Sequence, residues 1–557
     1  LKRIVSGILN ILNQKEKARL ITLIASDLVM GILDVAFLGM ILVVINFYTK
    51  SDSQANISFL PAAFANKNSL LFIGVFLVLF AIKNWLGYLN SKYQNRFFYG
   101  ISSRLSKRNI QSYLKDDYLR FVNVDSSVLI RKISQQPIEF SNYILTNLQQ
   151  VVSQSILILF TITAILFYHP TLFFLLFSLL LPPVVVLGHF IKKKLKSIRA
   201  NTKQTSEKAI QYLNESLSGY IESNVYHKDD FFTERYYNHQ LQLNNNIATQ
   251  QTLQGLTSRL VEVFAILGFF ILVAINKLSA DTPAVSLLTI GVFMAASYKI
   301  IPGIVKILNS AGQIKTYEFT LTDLLPVNNM IIENAEAGTE PLTSITFEQV
   351  KFKYKDQNIL NNISFEIQSG DFVGLSAKSG KGKTTLIHLM LGFLKHHKGN
   401  ILFNGKKTNW IHRQGFWSRV SYVKQQSFII NDTILKNITL SDGEYNADKL
   451  ADVIALCGID HIIAQYPEGI HTFIRENGKN ISGGQRQRIM LARALYHDFD
   501  LLILDEAFSE MDEVSEKNIL AKLKLLAQQG KMIILITHNR SSLFVCDRVI
   551  SADKEYA

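Results

Sequence analysis

The hardest constraint in this 557-residue sequence is a series of apolar segments, all before residue 330, that are long enough to cross a bilayer. Six stand out: 20–47, 70–88, 151–168, 172–190, 261–275 with its polar lead-in, and 285–304. Backbone in lipid must satisfy its own hydrogen bonds, so each is predicted to be a helix and this half of the chain an all-α membrane domain.

An even number of spans puts both ends on one side. The outer connections hold few cations: Lys50 and Lys67 in the first, none in 168–170, Lys277 in the last. The other two hold nine Lys and Arg each, over 92–132 and 192–235, including Lys192, Lys193 and Lys194. Positive charge collects on the cytoplasmic side, so both termini and the domain after the spans are predicted to be cytoplasmic. The same rule explains the net charge of +14. Residues 341–557 carry 27 Lys and Arg against 23 Asp and Glu, a net of +4, which leaves +10 for the membrane half. A nucleic-acid partner would want a basic patch on the soluble part, and none is expected.

The two basic connections keep Leu, Ile and Tyr at helical spacing and read as helices continuing past the membrane, each broken once, near 116–127 and 216–230. Asp27, Asp34, Lys83 and Glu262 fall in or near spans, where a charge faces either a substrate cavity or a structural partner. Pro182 and Pro183 mark a bend or a gating kink in the fourth span. Ile57, Phe59, Leu60 and Phe64 fit a short helix on the outer membrane surface or an ordinary apolar loop. Residues 1–19 lack the apolar core of a cleavable signal, so insertion is expected to rely on the first span. Cys457 and Cys546 lie far apart, without metal-ligand spacing, and read as reduced, packed thiols.

The helical pattern ends near Leu325, and 326–341 reads as a linker into a second domain, 342–557. Residues 345–354 and 359–367 alternate like a hairpin, and 371–375 reads as a buried strand. That strand runs into Ser376-Ala377-Lys378-Ser379-Gly380-Lys381-Gly382-Lys383-Thr384-Thr385 and then an apolar helix, the setting a phosphate-binding loop requires. Successive N–H groups cradle the phosphates of ATP, Lys383 meets the β and γ phosphates, and the Thr384 hydroxyl suits Mg²⁺. Ala377 stands where the strict pattern has glycine, and it fits if its φ is negative. Downstream, 501–504 is an apolar run ending in Asp505 and Glu506, placed to hold Mg²⁺ through water and to polarise the attacking water.

The string Ile481-Ser482-Gly483-Gly484-Gln485-Arg486-Gln487-Arg488, ahead of a helix over 489–495, resembles the signature of ATP-binding-cassette proteins, with isoleucine for the usual leucine. The resemblance extends to Tyr354 as the aromatic on adenine, Gln425 as the Q-loop residue at Mg²⁺, Asp512 in the D-loop and His538 as the switch histidine. Six spans and one cassette resemble a half-transporter of the type IV exporter family: a six-helix membrane domain plus an α/β P-loop ATPase.

The resemblance implies that the two breaks are coupling helices. It also implies that ATP lies between the phosphate loop of one cassette and the signature of another, hence a partner. Both half-sites and Glu506 are intact, so a second copy suffices, and a heterodimer is also open. The activity and place that the resemblance implies are ATP-driven export or flipping across a lipid membrane, the bacterial inner membrane. The absence of a peptidase domain ahead of the spans disfavours exporters that cleave leader peptides, and an amphipathic or lipid-like substrate is favoured. Peptide or drug export, import, and an ATP-gated channel or regulator are the alternatives.

Overall fold

The structure, a computed structural model, describes residues 2–49, 71–168, 186, 189, 202–278, 287–325, 340–355, 357–376 and 382–551. Several predicted features lie outside the described residues: the fourth span apart from two helical positions, the first outer loop with Ile57, Phe59, Leu60 and Phe64, Pro182 and Pro183, the linker over 326–339, and Ala377, Lys378, Ser379, Gly380 and Lys381. The chain forms two units, Leu1–Asp116 with Phe121–Val327, and Asp117–Arg120 with Asn328–Ala557.

Among its described residues the first unit is helical apart from short turns between helices. Gln14–Ile41, Leu71–Leu114 and Ser126–Thr163 are each long and apolar enough to cross a membrane. The predicted fifth segment lies inside the helix Asp229–Leu278, and the described part of the sixth inside Leu287–Thr316. The helices do outrun the spans. Leu71–Leu114 has 44 residues, and at 1.5 Å per residue it is about 66 Å long, roughly twice the ~30 Å hydrocarbon core. Short helices interrupt the chain at both predicted breaks, Tyr118–Asn123 and Tyr220–Val225.

Among the described residues of this unit, the one apolar core cluster lies in the extensions and the helix ends next to them. Ile4 and Ile8 of the helix Lys2–Ile11 join Leu105, Phe140, Ile144, Leu321 and Leu324 in one core. Along the second span Leu77, Val78, Ile82 and Trp85 are exposed, as a lipid-facing surface must be. The charges in the spans have partners. Lys83 pairs with Asp34. Asp27 accepts from Asn90 (3.0 Å) and Gln94 (2.6 Å) at Oδ1, and from Gln149 (2.6 Å) and Ser153 (3.2 Å) at Oδ2. Glu262 accepts from Ser258 at 3.4 Å.

The second unit has two sheets. β1 (Ser344–Tyr354) and β2 (Gln357–Gln368) form the predicted hairpin, extended through β4 (Lys398–Phe403) to β5 (Lys406–Lys407) in the order β2-β1-β4-β5. A parallel sheet runs β6-β7-β8-β3-β9, from β3 (Phe372–Ser376), β6 (Val420–Val423), β7 (Leu501–Asp505), β8 (Met532–Ile536) and β9 (Arg548–Ser551). β7 and β8 are buried along their whole length, which is why both read as unbroken apolar runs. In the same unit the Tyr118 ring lies 4.7 Å from His388 and 5.0 Å from Phe393.

Candidate active site

In a parallel sheet all C-terminal strand ends share one edge. Four adjacent strands therefore bring together residues far apart in sequence: Gln425 just beyond β6, Asp505 and Glu506 at the end of β7, His538 beyond β8, and Lys383 after the loop that follows β3. Their side chains meet at the Glu506 carboxylate. Gln425 Nε2 donates to Oε2 at 2.7 Å, while His538 Nε2 and Lys383 Nζ lie 3.2 and 3.8 Å from Oε1.

His538 Nε2 is also 2.8 Å from Lys383 Nζ. An ammonium only donates, so that contact needs Nε2 unprotonated, whereas donation to Glu506 needs it protonated. One ring nitrogen thus chooses between a cation and an anion. Glu506 is held at φ +51, a left-handed backbone uncommon for a residue with a side chain, and its N–H bonds Ile536 O at 2.9 Å.

Asp505 is 7% exposed, and burial pushes its carboxyl above the usual range. Tyr422 in β6 opposes that shift by donating to Oδ2 at 3.2 Å. Sequence reasoning missed Tyr422. The available clue was its place near the C-terminal end of the strand next to β7.

Gly382 caps the helix Lys383–Met390 with φ +91, and Leu360 and Ile359 leave no room for a Cβ there. Only glycine suits both conditions. Thr384 is exposed, Thr385 is buried, and Ser376 ends β3. Tyr354 ends β1, is 41% exposed, and crosses Phe352 edge-on at 4.8 Å.

The signature segment starts its helix earlier than predicted, at Gly483 rather than at Ile489. Ser482 and Gln485 form a reciprocal cap: Gln485 N–H donates to Ser482 Oγ at 3.2 Å and Ser482 N–H to Gln485 Oε1 at 2.9 Å. Gly483 and Gly484 open the first turn. Asp512 caps the helix Glu513–Gln528 through the Ser515 N–H at 2.8 Å, and Ser515 holds its carboxyl below the usual range. Gln487, also missed, is buried and links the two segments, donating to Ser509 Oγ at 2.8 Å and accepting from the Glu510 N–H at 2.9 Å.

Mg²⁺ takes hard oxygen ligands and keeps several from phosphate and water. The Thr384 hydroxyl, the Asp505 carboxylate and the Gln425 side-chain carbonyl oxygen, which the bond from Nε2 to Glu506 does not use, are donors of that kind.

Residues 360–509 match the family model described as ABC transporter, and residues 20–296 match the ABC transporter transmembrane region. A protein of Rickettsia prowazekii described as an export ATP-binding/permease protein is 35% identical over 42% of this chain, and the match spans 40% of that relative's own length. A protein of the same description from Rickettsia bellii is 26% identical over 87% of this chain and 85% of its own. An ATP-dependent lipid A-core flippase of Bordetella avium is 28% identical over 73% of this chain and 70% of its own. Among solved structures, one of a bacterial Atm1-family ABC exporter with ATP bound shares the fold, with a TM-score of 0.77 over 96% of this chain and 94% of that one at 20% identity.

Proposed function

Because the chain belongs to the ABC transporters, with that family's transmembrane region and ATPase module in one polypeptide, we propose that it is the subunit of an ATP-driven exporter or flippase for an amphipathic or lipid-like substrate. The observation that carries the reading is the Glu506 carboxylate, with Gln425, His538 and Lys383 gathered around it, in a chain that also holds apolar helices long enough to span a bilayer. The flippase description of the Bordetella avium relative supports the choice of a lipid-like substrate.

In the proposed cycle Lys383 neutralises β- and γ-phosphate charge, Glu506 orients the attacking water, and His538 leaves Glu506 to contact the γ-phosphate. Tyr354 stacks on the base. The phosphate loop, Ser376 to Thr385, wraps the phosphates with its N–H groups. Thr384, Asp505 and Gln425 would hold Mg²⁺, which would supply charge neutralisation at the transferring phosphoryl group.

Ser482, Gly483, Gly484 and Gln485, with Asp512 beside them, complete the site from a second copy of the chain. ATP closes the two cassettes, the breaks near 116–127 and 216–230 pass closure to the spans, and hydrolysis resets it. Asp117–Arg120 belongs with the second unit, which supports the first break in that role. The ATPase module faces the cytoplasm from the inner membrane.

ATPase activity in nanodiscs, titrated with lipids, lipid-linked oligosaccharides, drugs and peptides, tests the substrate class. Lipids or lipid-linked sugars are expected to stimulate turnover. Stimulation by peptides or drugs alone would contradict the lipid-like assignment.

A further inference from the structure

The signature turn has a neighbour of the wrong sign. Glu510 lies between β7 and the helix Glu513–Gln528, and its Oε2 occupies the space that a Cβ on Gly483 would need. Helical Cα–Cβ bonds tilt toward the N-terminus, so a group there stands beside the open end of Gly483–Tyr496. That end presents N–H groups without intrahelical acceptors and the positive end of the helix dipole. A carboxylate is at home there, and so is a phosphate.

The Glu510 backbone is fixed by its 2.9 Å bond to Gln487. Its side chain is 49% exposed and 3.5 Å from Arg486, a long contact for two opposite charges. Arg486 has unused capacity, because its Nε is buried without a hydrogen-bond partner. The carboxylate therefore has one position against the turn and a cation able to take more of it.

We propose that Glu510 is an acidic gate on the signature turn: its carboxylate competes with the γ-phosphate for the positive end of the helix, and ATP engagement requires it to swing onto Arg486. This sets the ATP concentration at which the cassettes engage, without entering the chemistry. The inference rests on the reading of Ser482 to Gln485 as a phosphate-contacting turn.

The test is steady-state ATPase of the reconstituted full chain against ATP concentration, at low and high salt, for Glu510→Gln, Arg486→Gln and Ser482→Arg. Glu510→Gln is expected to lower the KM for ATP about two- to five-fold with kcat retained, the gain shrinking at high salt. Arg486→Gln, which removes the receiving cation, should raise the KM. An unchanged or higher KM in Glu510→Gln overturns the gate. If that variant does not fold, an unchanged KM in Arg486→Gln overturns it instead. Ser482→Arg separates the two levels: undiminished hydrolysis sinks the signature reading itself, whereas an inactive Ser482→Arg beside an unmoved Glu510→Gln sinks only the gate.

Discussion

Gln425 Nε2 donates to Glu506 Oε2 at 2.7 Å, tying the segment beyond β6 to the end of β7. The amide donates without adding charge to a carboxylate that already faces Lys383 and His538. Gln425→Glu would put a second anion at this distance and remove the donor, so a hydrogen bond to a charged group becomes a like-charge contact. Steady-state ATPase turnover at neutral pH should fall about ten-fold or more. An unchanged kcat would show that this contact does not matter to turnover.

Gly484 tests the packing of the signature turn. A Cβ there would stand 2.8 Å from the Glu510 carbonyl oxygen, backbone of a residue whose N–H donates to Gln487. Gly484→Ala should destabilise the second unit by about 1–3 kcal/mol, the range for overpacking a fitted contact, and should lower ATPase activity. Thermal unfolding of the full chain in nanodiscs reads the first effect, and an unshifted transition would mean that the turn has slack.

His388 carries a pH signature. Burial, with Lys424 adding to it, drops its pKa to about 4 from the usual 6.5, and the neutral ring packs on Tyr118 and Phe393. A base with a depressed folded pKa contributes stability above its unfolded pKa, and that stability is lost as pH falls from about 6.5 toward 4. His388→Gln should therefore flatten the loss of thermal stability across that window. An equally steep loss in the variant would assign the acid sensitivity to other groups.

Asp27 is a structural hub by its bonding: four neutral donors from two other helices meet its two oxygens. In Asp27→Asn one oxygen becomes an amide facing donors, so two of the four bonds are lost. The expected destabilisation is about 1–3 kcal/mol, the usual range for stranded buried donors. Reversible unfolding in mixed micelles measures it, and a neutral substitution would make Asp27 a substrate-facing candidate again.

Elements with strong periodicity are legible in the sequence. β7 is buried on both faces and reads directly as an apolar run ending at the chemistry. The long helices are legible as well, because Leu71–Leu114 keeps helical spacing well beyond its apolar part. Partnerships that depend on tertiary neighbours are not. Nothing local to Tyr422 indicates that β6 lies beside β7, and nothing local to Glu510 indicates that the chain turns it back onto Gly483. The start of the helix Gly483–Tyr496 is hidden for a local reason: two glycines and a polar run mask its first turn, which the cap between Ser482 and Gln485 supports.

The central claim, that hydrolysis at Glu506 drives movement of a substrate across the bilayer, is tested most directly in sealed proteoliposomes carrying the parent chain or Glu506→Gln. ATP-dependent accumulation or flipping of a labelled lipid substrate is measured against passive leak, with nucleotide binding and phosphate release followed in parallel. The parent is expected to transport and hydrolyse, whereas the variant should bind ATP with similar affinity, release almost no phosphate and transport no faster than leak. Sustained phosphate release by the variant, or ATP-triggered flux that continues without hydrolysis, would contradict it.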